Sequence, residues 1–522
     1  MTHHARQKAA SPAHCFARGL ALARRGDDAA AAEALAAAVR AEPGHVAALA
    51  ALAKVLDRLG HADAAAATGA AALRLRPGHA EALAGFCAAL VRLAGAGVPI
   101  APYLAALPDR APLLVQAGVA LGQAGLLEPA LAAFDLAAAR HPAHPPALVN
   151  RGCALFKLGR FADACEVLRA ALALAPGDAV ARFGLANALL AQGAWAEGWP
   201  LYEARWELPG AAPRRVAAPR WRGEPLDGWR ILVQAEQGFG DTLHFARFLP
   251  LVAARSGAVV LEVPAPLRRL AARFPGVAEV VPHSAVPPPC DVHAPLLSLP
   301  GLLGGTPDPV APPYVTAAPE LVARWAARLP GDGRPRVGLV WAGGPPRDNG
   351  ASQQPDTARS MRFEQAAPLL AVPGVRWVSL QKGARAAGLF DPMGEVADFA
   401  DTAAIVAALD LVISVDTSVA HLAGAMGRPV WLMCRWDPCW RWPRQGSTTP
   451  WYPAMRIFRQ PRPGDWSSVV AEVAAALSQR WMPMATTPSA APSADTAGQP
   501  PCSQATLAPP EPAAPPRNSA VT

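Results

Sequence analysis

Lysine is scarce in these 522 residues: of 48 basic side chains only four are Lys (Lys8, Lys54, Lys157 and Lys382), and the rest are Arg. The formal net charge is +8, yet no run of five or six like charges occurs. Nucleic-acid binding usually announces itself by such a block or by a recognised motif; with neither here, nucleic acid is not an expected partner. The Arg-for-Lys bias, with heavy use of Ala, Gly and Pro, reads as a compositional habit of the genome. Cysteine is dilute as well, eight residues with no metal-ligand or redox spacing. The closest pair, Cys434 and Cys439, has no matching second pair. A disulfide scaffold is excluded, and plain reduced thiols are expected. No uncharged, strongly apolar stretch of about 18–20 residues occurs, so no membrane span is predicted. The opening MTHHARQKAASPAH has no apolar segment of a secretory leader. These absences predict a soluble, cytoplasmic chain.

What is present is ample core material, with 52% hydrophobic and 17% charged residues. At roughly 100–200 residues per domain the length predicts two to four domains. Glycines fall at Gly26, Gly60, Gly125, Gly159 and Gly193, spaced 34, 65, 34 and 34 residues. Pro43, Pro77, Pro142 and Pro176 repeat the pattern, with one degenerate unit in the gap around 80–110. In the unit 147–178, Leu148, Gly152, Leu155 and Phe156 share one helical face, and Gly159 ends that helix. Phe161, Ala164, Cys165 and Leu168 line a second helix, which Pro176 closes. Such helix pairs bury their aliphatic stripes only against neighbouring repeats. The period, turn glycine and terminal proline together resemble the tetratricopeptide repeat, in at least five copies over residues 12–208. Arrays of this kind present a groove to a peptide or protein; packing on the following domain or dimerisation are the alternatives. Trp195, Trp199, Tyr202 and Trp206 then recur at helical spacing, as a core or inter-domain seam rather than a ligand platform. A Pro- and Arg-rich linker, 209–228, follows.

From Trp229 the pattern changes to short apolar runs: 230–236, 258–263, 336–343, 375–381, 410–416 and 429–434. Most are separated by helical stretches, the signature of parallel βαβ units. The Pro- and Gly-rich stretch 282–335 divides them, so two doubly wound domains are expected, 229–335 and 336–480, facing across a cleft. Ligands of such sheets sit beyond the carboxyl ends of the strands. The tail, 481–522, has ten Pro within residues 483–522 and is expected to lack a core.

Two strand-to-helix turns carry candidate chemistry. In Gln237-Gly238-Phe239-Gly240-Asp241-Thr242, Gly238 and Gly240 allow a tight turn and close approach to a ligand. Asp241 there is either a helix N-cap or a catalytic carboxylate. In the second turn, Asp416, Thr417, Ser418 and His421 follow strand DLVISV, and the helix start offers N–H groups to an anion. The alternatives are that Asp416 or Thr417 caps the helix and that His421 packs in the core.

The two turns, in this order and on two halves, resemble glycosyltransferase family 9, which includes the ADP-heptose–lipopolysaccharide heptosyltransferases. The similarity is greatest to members that follow a tetratricopeptide array, and it covers about residues 12–480. The resemblance implies a GT-B fold of two Rossmann-like domains, with acceptor on the first and nucleotide sugar mainly on the second. It implies Asp241 as the base, and Asp416, Thr417, His421 and Leu422 as the Asp-Thr-x-x-x-His-Leu motif at the donor diphosphate. Ser418 stands where the heptosyltransferases usually carry Gly, which fits the repeat-bearing members better. The Arg359-Ser360 pair matches the family's basic segment, where Arg359 neutralises diphosphate by paired hydrogen bonds. Lys382 is similarly placed and Arg347 is a weaker candidate; a solvated loop charge is the alternative for each. No Asp-x-Asp pair occurs, so neither metal nor cofactor is implied. Trp436, Trp440, Trp442 and Trp451 are read as packing or as stacking surfaces. The function implied is inverting, metal-independent transfer from a nucleotide-sugar donor to an acceptor, a protein recruited by the repeats. Alternatives are a protein-binding scaffold with an inactive transferase-like domain, or a lipopolysaccharide or polysaccharide glycosyltransferase.

Overall fold

A computed structural model describes residues 11–283, 286–307, 310–344, 358–437 and 439–481. Arg347 and the tail beyond Trp481 lie outside them. The first two-fifths is a solenoid of antiparallel helix pairs. They are α1 (Pro12–Arg24) with α2 (Asp28–Ala41), α3 (Val46–Arg58) with α4 (Ala62–Leu75), and α5 (Ala80–Gly95) with α6 (Ala101–Ala105). Then come α7 (Ala111–Gln123) with α8 (Leu127–Arg140), α9 (Pro145–Lys157) with α10 (Phe161–Leu174), and α11 (Ala179–Ala191) with α12 (Trp195–Tyr202). The periodic glycines end the first helix of five of the six pairs with φ between 77° and 85°, a left-handed conformation that L side chains adopt at a cost. In the irregular third pair the second helix shrinks to α6, five residues long. Gly152 shows why small residues recur at the helix crossing. A Cβ there would lie 2.5 Å from Leu168 Cγ, so α9 and α10 touch only because it is missing.

The second half holds two all-parallel sheets. The first has the order β3 (Glu279–Pro282), β2 (Ala258–Val263), β1 (Arg230–Gln234), β4 (Val292–Pro295). The second runs β6 (Arg376–Ser379), β5 (Arg336–Val340), β7 (Leu411–Val415), β8 (Val430–Cys434), β9 (Met455–Arg459). Helices α13 (Phe239–Phe245), α14 (Leu249–Ala253), α15 (Arg268–Ala271) and α16 (Leu299–Leu303) accompany the first sheet. Helices α17 (Pro319–Arg328), α18 (Phe363–Ala366), α19 (Phe399–Ala407), α20 (Ser418–Ala425) and α21 (Trp466–Trp481) follow. Strands β1, β5, β7 and β8 are almost wholly buried, as parallel strands covered on both faces must be. Together with the solenoid this is an α array followed by α/β GT-B architecture.

Three strands were not legible as apolar runs. β3 is a half-exposed four-residue edge, β4 sits inside the Pro-rich divider, and β9 interrupts its apolar residues with Arg456. The aromatic seam is real but shorter than its spacing predicts. Trp195, Trp199 and Tyr202 lie on α12, while Trp206 falls in the following 3₁₀ turn, Glu203–Glu207, under the Arg205 guanidinium. Trp199 packs edge-on against Phe245 and Trp440, and Trp195 against Trp451. One hydrophobic core therefore runs from Ala186 and Leu190 of the array through both sheets.

A candidate donor and acceptor cleft

The carboxyl ends of both sheets open into a cleft of about 1860 Å³. Its third wall is the solenoid: Gly122 and Gln123 of α7 and Asn150, Cys153 and Lys157 of α9 line the same space. Gly238, Gly240, Asp241, Arg359, Lys382, Asp416, Thr417, Ser418 and His421 all line it; Ser360 stands just behind.

On the first half, β1 delivers the chain into Gln237, whose φ of 58° is left-handed without being glycine. Backbone strain of this kind is stored where the surroundings over-determine it, often at ligand sites. The N-cap of α13 is Gly238, so Asp241 is not the cap itself but the third residue of the helix. Its Oδ2 accepts the Gly238 N–H at 3.0 Å, reaching back as capping-box carboxylates do. Its Oδ1 accepts from Arg441 at 2.6 Å. Arg441 is buried, stacked on Trp440 at 4.1 Å, and the Asp241 charge raises its pKa against the opposing effect of burial. This ion pair joins residues 200 positions apart and was invisible in the sequence. Just upstream, Glu236 receives a forked pair of hydrogen bonds from Arg205, at 2.9 and 3.1 Å, tying the array's end to the glycine turn.

On the second half, Thr417 is the N-cap of α20, but its hydroxyl bonds Ser414 Oγ at 2.9 Å and, among the described residues, no side chain caps the helix. The opening N–H groups and the positive end of the helix dipole thus meet the cleft. Asp416 Oδ1 lies 3.8 Å from His421 Nε2. Ser360 Oγ accepts the Gly343 N–H at 3.0 Å, which holds the loop after β5, and Arg359 lies against Gly343. Lys382 is partly committed: its ammonium donates to the carbonyls of Met393 and Val396 at 3.1 and 2.9 Å. Gln381 Oε1, missed by motif reading, accepts from Trp341 N and Ala342 N and joins the ends of β5 and β6. Trp440, Trp442 and Trp451 are packing residues in the buried weld; Trp436 lies at the cleft with the Arg444 guanidinium 3.7 Å over its ring.

His421 is buried between the halves. Burial, reinforced by Arg441 and Arg247 against the raising effect of Asp416 and Asp241, lowers its pKa from 6.5 to about 4. The unfolded chain therefore binds this proton first. Stability is full above about pH 6.5, falls as the pH drops, and levels off only below about 4. At 1.36 kcal/mol per unit this one ring accounts for about 3 kcal/mol. Melting temperatures measured from pH 8 to 4 should fall across that window, and His421→Gln should make the fall shallower, the remainder coming from the buried His244, whose pKa burial also lowers.

A tetratricopeptide array fused to two facing parallel sheets of GT-B type is the class that fold and cleft define. Residues 16–80 and 155–198 match the tetratricopeptide-repeat family, so the N-terminal array contains such repeats. Among curated proteins, FlbA of Caulobacter vibrioides is 32% identical over 342 residues, which is 57% of this chain and 55% of FlbA. The chain thus spans about half the length of that relative. Solved structures with similar chains include E. coli ADP-heptose lps heptosyltransferase II, at 15% identity and TM-score 0.33, covering 48% of this chain and 99% of that one. A glycosyl transferase family 9 protein from Veillonella parvula DSM 2008 gives 10% identity and TM-score 0.36, with 48% and 96% covered. Among the described residues no helix is long and apolar enough to cross a membrane.

Proposed function

We propose that the chain is a glycosyltransferase that moves a sugar from a nucleotide-sugar donor to an acceptor, by inversion and without a metal. One observation carries this reading. A carboxylate heading α13, the uncapped start of α20 and the first helices of two repeats all face one cleft. The acceptor enters on the β1 side, where Asp241 takes the hydroxyl proton as general base. Each carboxylate oxygen has two acceptor positions, so the bonds to Arg441 and Gly238 leave one on each. The start of α20 and Arg359 stabilise charge on the departing diphosphate, and Lys382, after β6 of the same sheet, adds its charge. The repeat helices in the cleft wall favour a protein acceptor over a glycolipid.

Screening nucleotide sugars by thermal shift, then following release of nucleoside diphosphate, tests the reading. Binding with no transfer or hydrolysis would favour the second reading, a repeat scaffold whose domain binds without turnover. The commitment of Asp241 to Arg441 is the observation on that side. For the donor, Arg359→Ala should weaken nucleoside diphosphate far more than nucleoside. A charge-assisted contact is worth about 1.5–3 kcal/mol, roughly ten- to a hundred-fold in affinity. Equal losses for both ligands in calorimetry would instead indicate a damaged fold.

A further inference from the structure

Two buried histidines meet on one tyrosine behind the cleft wall. His244 Nδ1 lies 2.9 Å from Tyr452 Oη, and His421 Nδ1 lies 3.0 Å from the same oxygen. His421 Nε2 points the other way, toward Asp416 Oδ1 at the cleft. Burial holds both imidazoles below their ordinary basicity, with Arg247 and Arg441 acting in the same sense. Each ring is then neutral and carries one proton.

The phenol has a single proton to donate, so it cannot serve both rings. Tyr314 Oη also neighbours this phenol; it accepts from Arg247 at 3.0 Å and donates to the His244 carbonyl at 3.3 Å, and its remaining lone pair competes with the two rings for the Tyr452 proton. The direction of the chain is decided at its two ends. At one end, His421 faces a carboxylate, which favours an N–H on Nε2 over a lone pair. At the other, His244 Nε2 is buried among the rings of Phe245, Trp440 and Trp451 with no hydrogen-bond partner among the described residues. A bare acceptor is tolerated there better than an orphaned N–H. Both ends select the same arrangement.

We infer that His244 Nδ1–H donates to Tyr452, that Tyr452 donates to His421 Nδ1, and that His421 is thereby locked as the Nε2–H tautomer facing Asp416. Tyr452 and His244 are then positioning residues for the donor half of the cleft. The lock has a second consequence, because the ring also spaces the two halves. A Cβ on Gly240 would come within 2.8 Å of His421 Cδ2, so the turn bearing Asp241 rests on this imidazole. The geometry stands apart from the proposed function; only its purpose, aiming Asp416 at a nucleotide sugar, rests on that reading.

Nitrogen-15 NMR of the histidine-labelled, ligand-free full chain at pH 7.5 tests the chain of bonds directly. His244→Asn and His421→Gln assign the signals. The expected result is a protonated Nε2 with bare Nδ1 on His421 and the opposite on His244. A protonated Nδ1 on His421, or a doubly protonated ring, overturns the inference. In Tyr452→Phe the His421 signals should move toward a tautomer mixture. Affinity for the best binder among ADP, GDP, UDP and dTDP should fall about three- to tenfold, the span of one neutral hydrogen bond. Unchanged tautomers in that variant also overturn the inference. Failure of any nucleoside diphosphate to bind the wild-type chain sinks the donor-site reading instead, since the wild-type spectrum decides the tautomers without a ligand.

Discussion

Asp241→Asn is expected to lose transfer activity and melt at a lower temperature, and the two losses have separate causes. The amide still accepts the Gly238 N–H, so the turn keeps its cap. Arg441, however, is buried with Asp241 as its carboxylate partner, and an orphaned buried charge costs about 3–5 kcal/mol. From the sequence alone this substitution looks nearly neutral for the fold; the ion pair makes it severe. A double variant, Asp241→Asn with Arg441→Gln, removes both charges and keeps a polar group against Trp440. It should recover most of the lost stability in thermal melts while turnover stays down by about 10²–10⁴, the usual contribution of a general base. Recovery of turnover along with stability would reassign Asp241 to a structural pair and leave the cleft without an identified base.

Removal of residues 1–208 should leave an insoluble remainder rather than a free transferase domain. Trp199 Nε1 donates to the Gly305 carbonyl at 2.7 Å, and its ring is buried between Phe245 and Trp440. Arg205 forks onto Glu236 and reaches Ser298 at 2.8 Å. The last repeat is thus part of the α/β core, and Trp199→Ala alone should cost about 3–5 kcal/mol. A cut before Pro145 is different, because it parts α8 from α9 at an ordinary repeat junction and leaves the aromatic weld whole. That shorter deletion should stay soluble and bind nucleotide, with acceptor modification reduced. Size-exclusion and thermal melts of the two deletions decide the point. A monomeric, cooperatively melting 209–522 fragment would mean that the weld is dispensable.

The 34-residue period was legible because it is enforced locally: each turn needs a left-handed residue, and only glycine takes that conformation freely. Six strands were legible for a similar reason, since a strand covered on both faces must be an unbroken apolar run. β3, β4 and β9 escaped because an edge strand or a short strand among prolines need not be one. The two chemical turns were readable as strand-to-glycine or strand-to-hydroxyl transitions. What their side chains touch was not. Asp241 finds Arg441, and His244 finds Tyr452, across 200 and 208 residues of chain. Nothing in local spacing records a contact of that separation. By itself, then, the sequence determined the repeat array, the parallel strands and the backbone turns, all set by interactions within a few residues. Only the tertiary structure decided that array and sheets share one core and one cleft, and which charges are paired there, because burial and ion pairing depend on surfaces that meet after the chain has folded.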